Sequence, residues 1–367
     1  CLTAALWGAH TQGAEVDHVP LYDYFTVDGE RRETNELRET LLSADGLLIS
    51  TPVYFGDRSS LAQALVDFIH GDPELRAHLA GKIYGGLTVG AKRNGGQETS
   101  LIYMLHDMLE LGMVGVGNDY ETTSQYGGTG HAGDVGMMPK DEYGLATCIG
   151  TGRRVARVAA FYAAARQRGL RDKVKIGIWI LQDRQETMSK ALAPFLEKLA
   201  GDAEITVFPL QDKRIMPCMA CDLCPAGTGP DEQYRCMRGN TDDVRELHQS
   251  LLDTDVVIPA MFSPRNRDGL ASSYQCFLER TRYLRRGDYA LSDRLFAPLV
   301  FAETGSNENL NLRMTTSFIR HQTVLQKPIM GWTHQGEILN PDDVAQGLGA
   351  AVANGRDLAA GRLHTIS

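Results

Sequence analysis

The chain has 367 residues, 43% hydrophobic and 23% charged, with a formal net charge of −9 and an isoelectric point near 5.6. An acidic chain with no long basic run is a poor partner for nucleic acid, and no stretch of about 18 consecutive apolar residues is present to span a membrane. The length suggests two domains, and 38 glycines against 14 prolines fit a loop-rich α/β protein, expected to be cytoplasmic.

The first ten residues pattern as the end of an amphipathic helix and have no signal-peptide character. The chain opens at Cys1 without a methionine, so further residues are expected upstream. Residues 15–21 alternate and predict a short strand, 35–42 a helix, and 46–50 a buried strand. That strand runs into Pro52-Val53-Tyr54-Phe55-Gly56. A helix follows over 61–70, with Leu61, Leu65 and Phe68 on one face. Next come a strand over 82–89, a glycine-rich loop Gly95-Gly96-Gln97-Glu98, a helix over 99–111 and a strand over 112–117. A long loop then holds Tyr126-Gly127-Gly128-Thr129-Gly130 and Lys140-Asp141-Glu142-Tyr143-Gly144, and a helix over 147–166 closes this half. Strands alternating with helices predict a parallel sheet covered on both faces. Ligands of such sheets sit outside the carboxyl ends of strands, where all three loops are expected to fall.

A polar, basic stretch over 166–173 places a boundary near Leu170, dividing the chain into 1–169 and 170–367. The pattern then restarts. Strands are predicted over 174–181, 205–210, 256–260, 295–302 and 328–332, and helices over 187–200, 242–252, 269–284, 309–322 and 342–358. The order matches the first half, so the chain reads as a tandem repeat of one fold.

After the second of these strands come Cys218, Cys221 and Cys224 at C-x2-C-x2-C spacing, and eleven residues separate Cys224 from Cys236. Four of the seven cysteines lie in this window. Thiolates this close together suit a metal that wants soft ligands. An iron–sulfur cluster, a zinc knot and a pair of disulfides all stay open on spacing alone. A bacterial ferredoxin run would place the fourth cysteine after about three residues and follow it with proline; Cys236-Met237 does neither.

The loops at 51–60, 95–98 and 126–130, with the Lys140–Gly144 run, resemble the flavodoxin-like NADPH-dependent FMN reductase family, whose cluster-bearing branch is the iron–sulfur flavoproteins. Asp242-Asp243 resembles the acidic pair that comes after the cysteine loop in that branch. The resemblance implies two tandem flavodoxin-like, doubly wound domains. It implies FMN held by Pro52, Val53, Tyr54, Phe55, Gly56, Gly95, Gly96, Gln97, Glu98, Tyr126 and Gly127, and a 4Fe–4S cluster on Cys218, Cys221, Cys224 and Cys236. Glycines let backbone amides approach the flavin ring, and Tyr54 and Phe55 offer stacking surface. The family's first strand and phosphate loop would precede Cys1, so no phosphate ligand can be named.

The second copy departs from the flavin pattern. Its first loop, Gln182-Asp183-Arg184-Gln185-Glu186-Thr187, sets acids where a phosphate would lie. Pro259-Ala260-Met261-Phe262-Ser263 and Glu303-Thr304-Gly305-Ser306-Asn307 lack the tyrosine and the double glycine. The expectation is one flavin in the first domain and thiolates in the second, with electrons passing between cluster and FMN to a small molecule or a redox protein such as a ferredoxin. NAD(P)H is a candidate donor, and the resemblance implies a homo-oligomer. Two other readings stand beside this one: an NAD(P)H-dependent FMN or quinone reductase with zinc or nothing in the loop, and a non-catalytic electron-transfer or scaffold partner.

Lesser candidates are weighed toward packing or solvation. They are His131 as a proton donor, Arg58 as an anion contact against a surface ion pair, and Cys148 and Cys276 as packed thiols. Met216, Pro217 and Met219 would shield a cluster. The basic run Arg280 to Arg286 reads as a solvated helix end.

Overall fold

A computed structural model describes all residues except 27–30, 123, 169–172, 184–185, 225–235, 237, 239–240, 267–269, 287, 307–309 and 366–367. The chain forms two compact units, Cys1–Gln167 and Arg168–Ser367. The expected boundary at Leu170 lies outside the described residues.

The first unit opens with α1 (Leu2–His10) and α2 (Asn35–Ser43). Strand β1 (Gly46–Pro52) leads into α3 (Ser60–Gly71), whose first turn is capped by Ser59 Oγ accepting the Ala62 N–H at 3.3 Å. A helix absent from the sequence reading, α4 (Pro73–Leu79), comes at once after it. Asp72 caps it by accepting the N–H groups of Glu74 and Leu75 at 2.9 and 3.1 Å, and Pro73 fills its first position. Then come β2 (Ile83–Gly90), α5 (Gln97–Glu110), β3 (Val114–Gly115), β4 (Gly128–His131) and the long α6 (Glu142–Arg168).

The pairing is parallel throughout. β1 runs beside β2 from Gly46↔Ile83 to Pro52↔Val89. On its other side β2 meets β3 near its start, at Ile83↔Val114, and β4 near its end, from Leu87↔Gly128 to Gly90↔His131. The predicted strand over 112–117 is therefore a two-residue start that leaves the sheet and rejoins it as β4.

The predicted strand over 15–21 does not form; residues 14–20 are irregular. An alternating segment becomes a strand only beside a partner, and among the described residues no strand pairs with it. Instead a cavity of about 630 Å³ lies along the free edge of β1, lined by Leu2, Leu6, Val16, Leu37, Leu48 and Val155 among others.

The second unit holds β5 (Val174–Gln182), α7 (Thr187–Leu199), β6 (Ala203–Pro209), α8 (Val244–Leu252), β7 (Val256–Ser263) and α9 (Leu270–Thr281). It continues with β8 (Leu295–Phe296), β9 (Leu299–Glu303), α10 (Leu310–Thr315), β10 (Val324–Leu325), β11 (Ile329–His334), β12 (Glu337–Ile338) and α11 (Pro341–Thr365). The helices predicted over 269–284 and 309–322 are shorter than expected, ending in 3₁₀ turns at Arg282–Arg285 and Ile319–His321. β8 and β9 are one strand broken at Ala297-Pro298, because proline cannot donate to a ladder.

β5 lies between β6 and β7, β7 pairs next with β8 and β9, and these pair with β10 and β11. That is the 2-1-3-4-5 order of a flavodoxin-like doubly wound sheet. The first unit shows the last three places of the same order. Its core packs Ile83, Leu87, Leu101, Met104 and Leu105; the second unit buries Trp179 against Phe208 at 5.2 Å and Phe296 against Phe318 at 4.7 Å between ring centroids.

Candidate functional site

Two loops meet at the carboxyl ends of β1 and β2. After Pro52 the chain makes a tight turn in which Tyr54 N–H donates to Asp57 O at 2.8 Å and Asp57 N–H to Tyr54 O at 2.9 Å. The central residues Phe55 and Gly56 have φ of 52° and 82°, the left-handed pair of a type I′ turn. Glycine suits that conformation; phenylalanine adopts it at a cost of roughly 1–2 kcal/mol. The result is a fully exposed Phe55 ring beside a largely exposed Tyr54, at the mouth of the sheet. Pro52 is exposed, and Val53 is half-buried with its N–H on Val89 O at 2.9 Å.

The second loop presses against this turn. Gly96 caps α5 with φ of 99°, and a Cβ there would lie 2.9 Å from Gly56 Cα and 3.2 Å from Val53 Cγ1. Gly95 is exposed, as is Glu98, whose charge in the first turn of α5 suits the helix dipole. Gln97 is placed differently: it is buried, and both ends of its amide are engaged within the chain. Its Nε2 donates to Lys92 O at 2.7 Å and Gly130 O at 3.0 Å, and its Oε1 accepts the Gly95 N–H at 2.8 Å. Gln97 therefore ties the glycine loop to the end of β4.

The third loop departs from the sequence reading. Tyr126 and Gly127 precede β4 and lie beside the middle of β2, where a Cβ on Gly127 would stand 2.2 Å from Gly86 O. Only Gly130 and the residues after it reach the carboxyl end. There Arg93 pairs with Asp141, donates to Thr129 O at 3.0 Å and lies 5.1 Å over the Tyr143 ring. Burial raises the Asp141 pKa, but the amides of Gly144 and His131 and the Arg93 guanidinium outweigh it and hold this carboxyl below its usual range. Arg58 is mostly buried and paired with Asp107, so it is a structural cation of the turn.

In the second unit, Cys218, Cys221, Cys224 and Cys236 line one cavity of about 20 Å³ with Arg238, Arg280 and Arg282. All four are free thiols. Burial and then the neighbouring Cys236 and Cys218 push the Cys224 thiol up, against the pull of Arg282 and Arg286. Among the described residues no three His, Cys, Asp or Glu side chains stand in a metal-holding arrangement. The donor set nevertheless fits a thiophilic centre: four sulfurs on one cavity, rimmed by cations, with Ala220 N–H donating to Cys218 Sγ at 3.4 Å. Asp222, at φ 58°, is held by Arg282 at 3.1 Å and Arg286 at 2.6 Å. The basic run is thus not a solvated helix end; Arg280 is buried and Arg282 and Arg286 brace the thiol loop.

The amides at the start of α7 are already engaged. Asp183 is buried at the start of α7, accepting the N–H groups of Met188 at 2.7 Å and Ser189 at 3.2 Å and the Ser189 hydroxyl. Its neighbours Arg184 and Gln185 lie outside the described residues, as do Asn307, in the later loop, and Met237. Pro259 to Ser263 continue β7 instead of forming an exposed aromatic turn.

Residues 2–127 match the family model of NADPH-dependent FMN reductase. An iron–sulfur flavoprotein of Methanocaldococcus jannaschii is 34% identical over 132 residues, 34% of this chain and 64% of that protein. One of Methanosarcina thermophila is 29% identical over 139 residues, 37% of this chain and 65% of that protein. An NAD(P)H dehydrogenase (quinone) of Cupriavidus metallidurans is 31% identical over 173 residues, 41% of this chain and 85% of that protein. The chain thus spans just under two thirds of the length of the iron–sulfur flavoproteins it matches. No helix among the described residues is long and apolar enough to cross a membrane.

Proposed function

Because this chain belongs to the NADPH-dependent FMN reductase family, we propose that it is a flavin-dependent oxidoreductase with FMN on the first unit and an iron–sulfur cluster on the four thiols of the second. The observation that carries the flavin half is the contact of Gly96 with Gly56, which joins two amide-rich loops beneath the exposed rings of Tyr54 and Phe55. Bound there, FMN would supply both one- and two-electron chemistry, which couples a one-electron cluster to a two-electron donor or acceptor such as NAD(P)H, a quinone or a redox protein.

The chain's own residues prepare that chemistry. Gly56 and Gly96 keep the ring's edge free of side chains, so that backbone amides can donate to it. Tyr54 and Phe55 cover a ring face and exclude water from it. Gln97 and the Arg93–Asp141 pair hold the surrounding loops in place. In the second unit Asp183 occupies the helix N-terminus where an anion would bind, which supports a single flavin per chain. The shared strand order supports a tandem origin for the two units. The cavity beside β1 reads as the seat of one more parallel strand, as β5 stands beside β7. Slow exchange of the outer-edge amides of β1 would support that strand, and solvent-like exchange would remove it.

The relatives named NAD(P)H dehydrogenase (quinone) favour a second reading, a flavin reductase without a cluster. Absorbance of anaerobically purified protein separates the two. The cluster reading expects a broad brown shoulder near roughly 400 nm that dithionite bleaches; yellow flavin bands alone would leave the second reading standing.

A further inference from the structure

We infer that Arg280 is the positioning residue for Cys236: its guanidinium, locked in a buried pair with Asp242, donates an N–H to Cys236 Sγ and so sets where that thiolate stands and how readily a cluster on it is reduced. This rests on the cluster reading above.

Arg280 lies one residue from the end of α9 with its side chain 2% exposed, and that of Asp242 is fully buried. The carboxylate is saturated. It pairs with Arg280, taking one N–H at 3.2 Å, and accepts the backbone N–H groups of Met216 at 3.0 Å and Val244 at 3.4 Å. The guanidinium also donates to Met216 O at 3.0 Å. One side chain thus grips the segment entering the cysteine loop and, through Asp242, the segment leaving it. The neighbouring Glu279 accepts the Cys218 N–H at 3.2 Å, so the end of α9 serves both flanks of the thiol cavity.

The rest of the fork points at sulfur: Arg280 Nη2 lies 3.7 Å from Cys236 Sγ, within reach of an N–H···S hydrogen bond. Packing alone does not call for this arrangement, since a buried ion pair is commonly no better than an apolar pair of the same volume. A planar fork is what allows contact with a carboxylate, a carbonyl and a sulfur at once, and a lysine ammonium lacks that geometry. Four thiolates around iron and sulfide carry net negative charge, and reduction adds more. A cationic donor to one ligand sulfur therefore favours the reduced form and raises the midpoint potential.

The test uses full-length protein purified anaerobically, as wild type, as Arg280→Lys and as the double variant Arg280→Gln with Asp242→Asn. The double variant leaves net charge unchanged and keeps a neutral hydrogen-bonding pair in the core, so a shift in it reports the lost guanidinium donor and not a change in net charge. Iron and sulfide are assayed first, and the cluster is then titrated by absorbance and electron paramagnetic resonance. We expect both variants to titrate more negatively, by about tenfold in the one-electron equilibrium, or about 59 mV. Should Arg280→Lys fail to load iron, the double variant carries the test. Iron-loaded variants with the wild-type potential would overturn the role of Arg280 alone. A wild type without iron and sulfide would overturn the cluster reading, and this inference with it.

Discussion

Gly96 stands against Gly56 so closely that a Cβ on the former would meet the Cα of the latter at 2.9 Å. Neither glycine belongs to the other's loop, and each has φ above 80°. Gly96→Ala should therefore suffer both a clash and backbone strain, costing about 1–3 kcal/mol. It should also part the loops and weaken FMN binding by about tenfold or more. Flavin fluorescence titration and urea unfolding read the two effects separately.

Phe55 separates strain from stacking. Its φ of 52° is unfavourable for a side chain, while its ring touches little of the protein. Phe55→Gly should raise stability by about 1 kcal/mol yet weaken FMN binding. Phe55→Ala should weaken binding with no gain in stability. Equal binding in all three proteins would remove the ring from the site.

Gln97 holds three backbone groups. Gln97→Leu leaves the Gly95 N–H and the carbonyls of Lys92 and Gly130 without that partner. The expected loss is about 1–3 kcal/mol of stability, with weaker flavin binding as a consequence of the loosened loop. Wild-type stability in this variant would contradict the tie.

His321 gives the second unit a pH dependence. Burial, helped by Arg285 and Arg320, pushes its pKa down to about 3, and its ring stacks on Phe318 and meets Thr281 Oγ1 at 3.3 Å. It is neutral in the folded protein, whereas the unfolded chain takes up a proton near 6.5. Its contribution is therefore complete above that pH and is lost as pH falls toward the folded value. Between pH 7 and pH 5 the loss should be about 2 kcal/mol. Urea midpoints at the two pH values should differ by less in His321→Asn than in wild type.

Much of this was legible in the sequence where local pattern and fold agree. The helices over 35–42 and 61–70 and the strands over 46–50, 82–89 and 174–181 were legible because apolar period and burial coincide. Residues 15–21 carry a strand's alternation, but a strand also needs a neighbour, and sequence alone does not reveal whether one is present. The Asp72-Pro73 cap of α4 is a signal that the sequence carries in full. Tyr126 and Gly127 stand away from the carboxyl end of the sheet because a strand can leave a sheet and rejoin it without a change in composition. Arg280 looked like surface charge since its partner Asp242 lies far along the chain, and only packing shows that the pair is buried.

The central claim is a division of cofactors between two units, and the most direct measurement is the iron, acid-labile sulfide and FMN content per chain of anaerobically purified full-length protein. The account predicts about four irons with matching sulfide, the content of the 4Fe–4S cluster proposed for the four thiols, together with a single FMN. Two FMN per chain, or zinc in place of iron and sulfide, would contradict it.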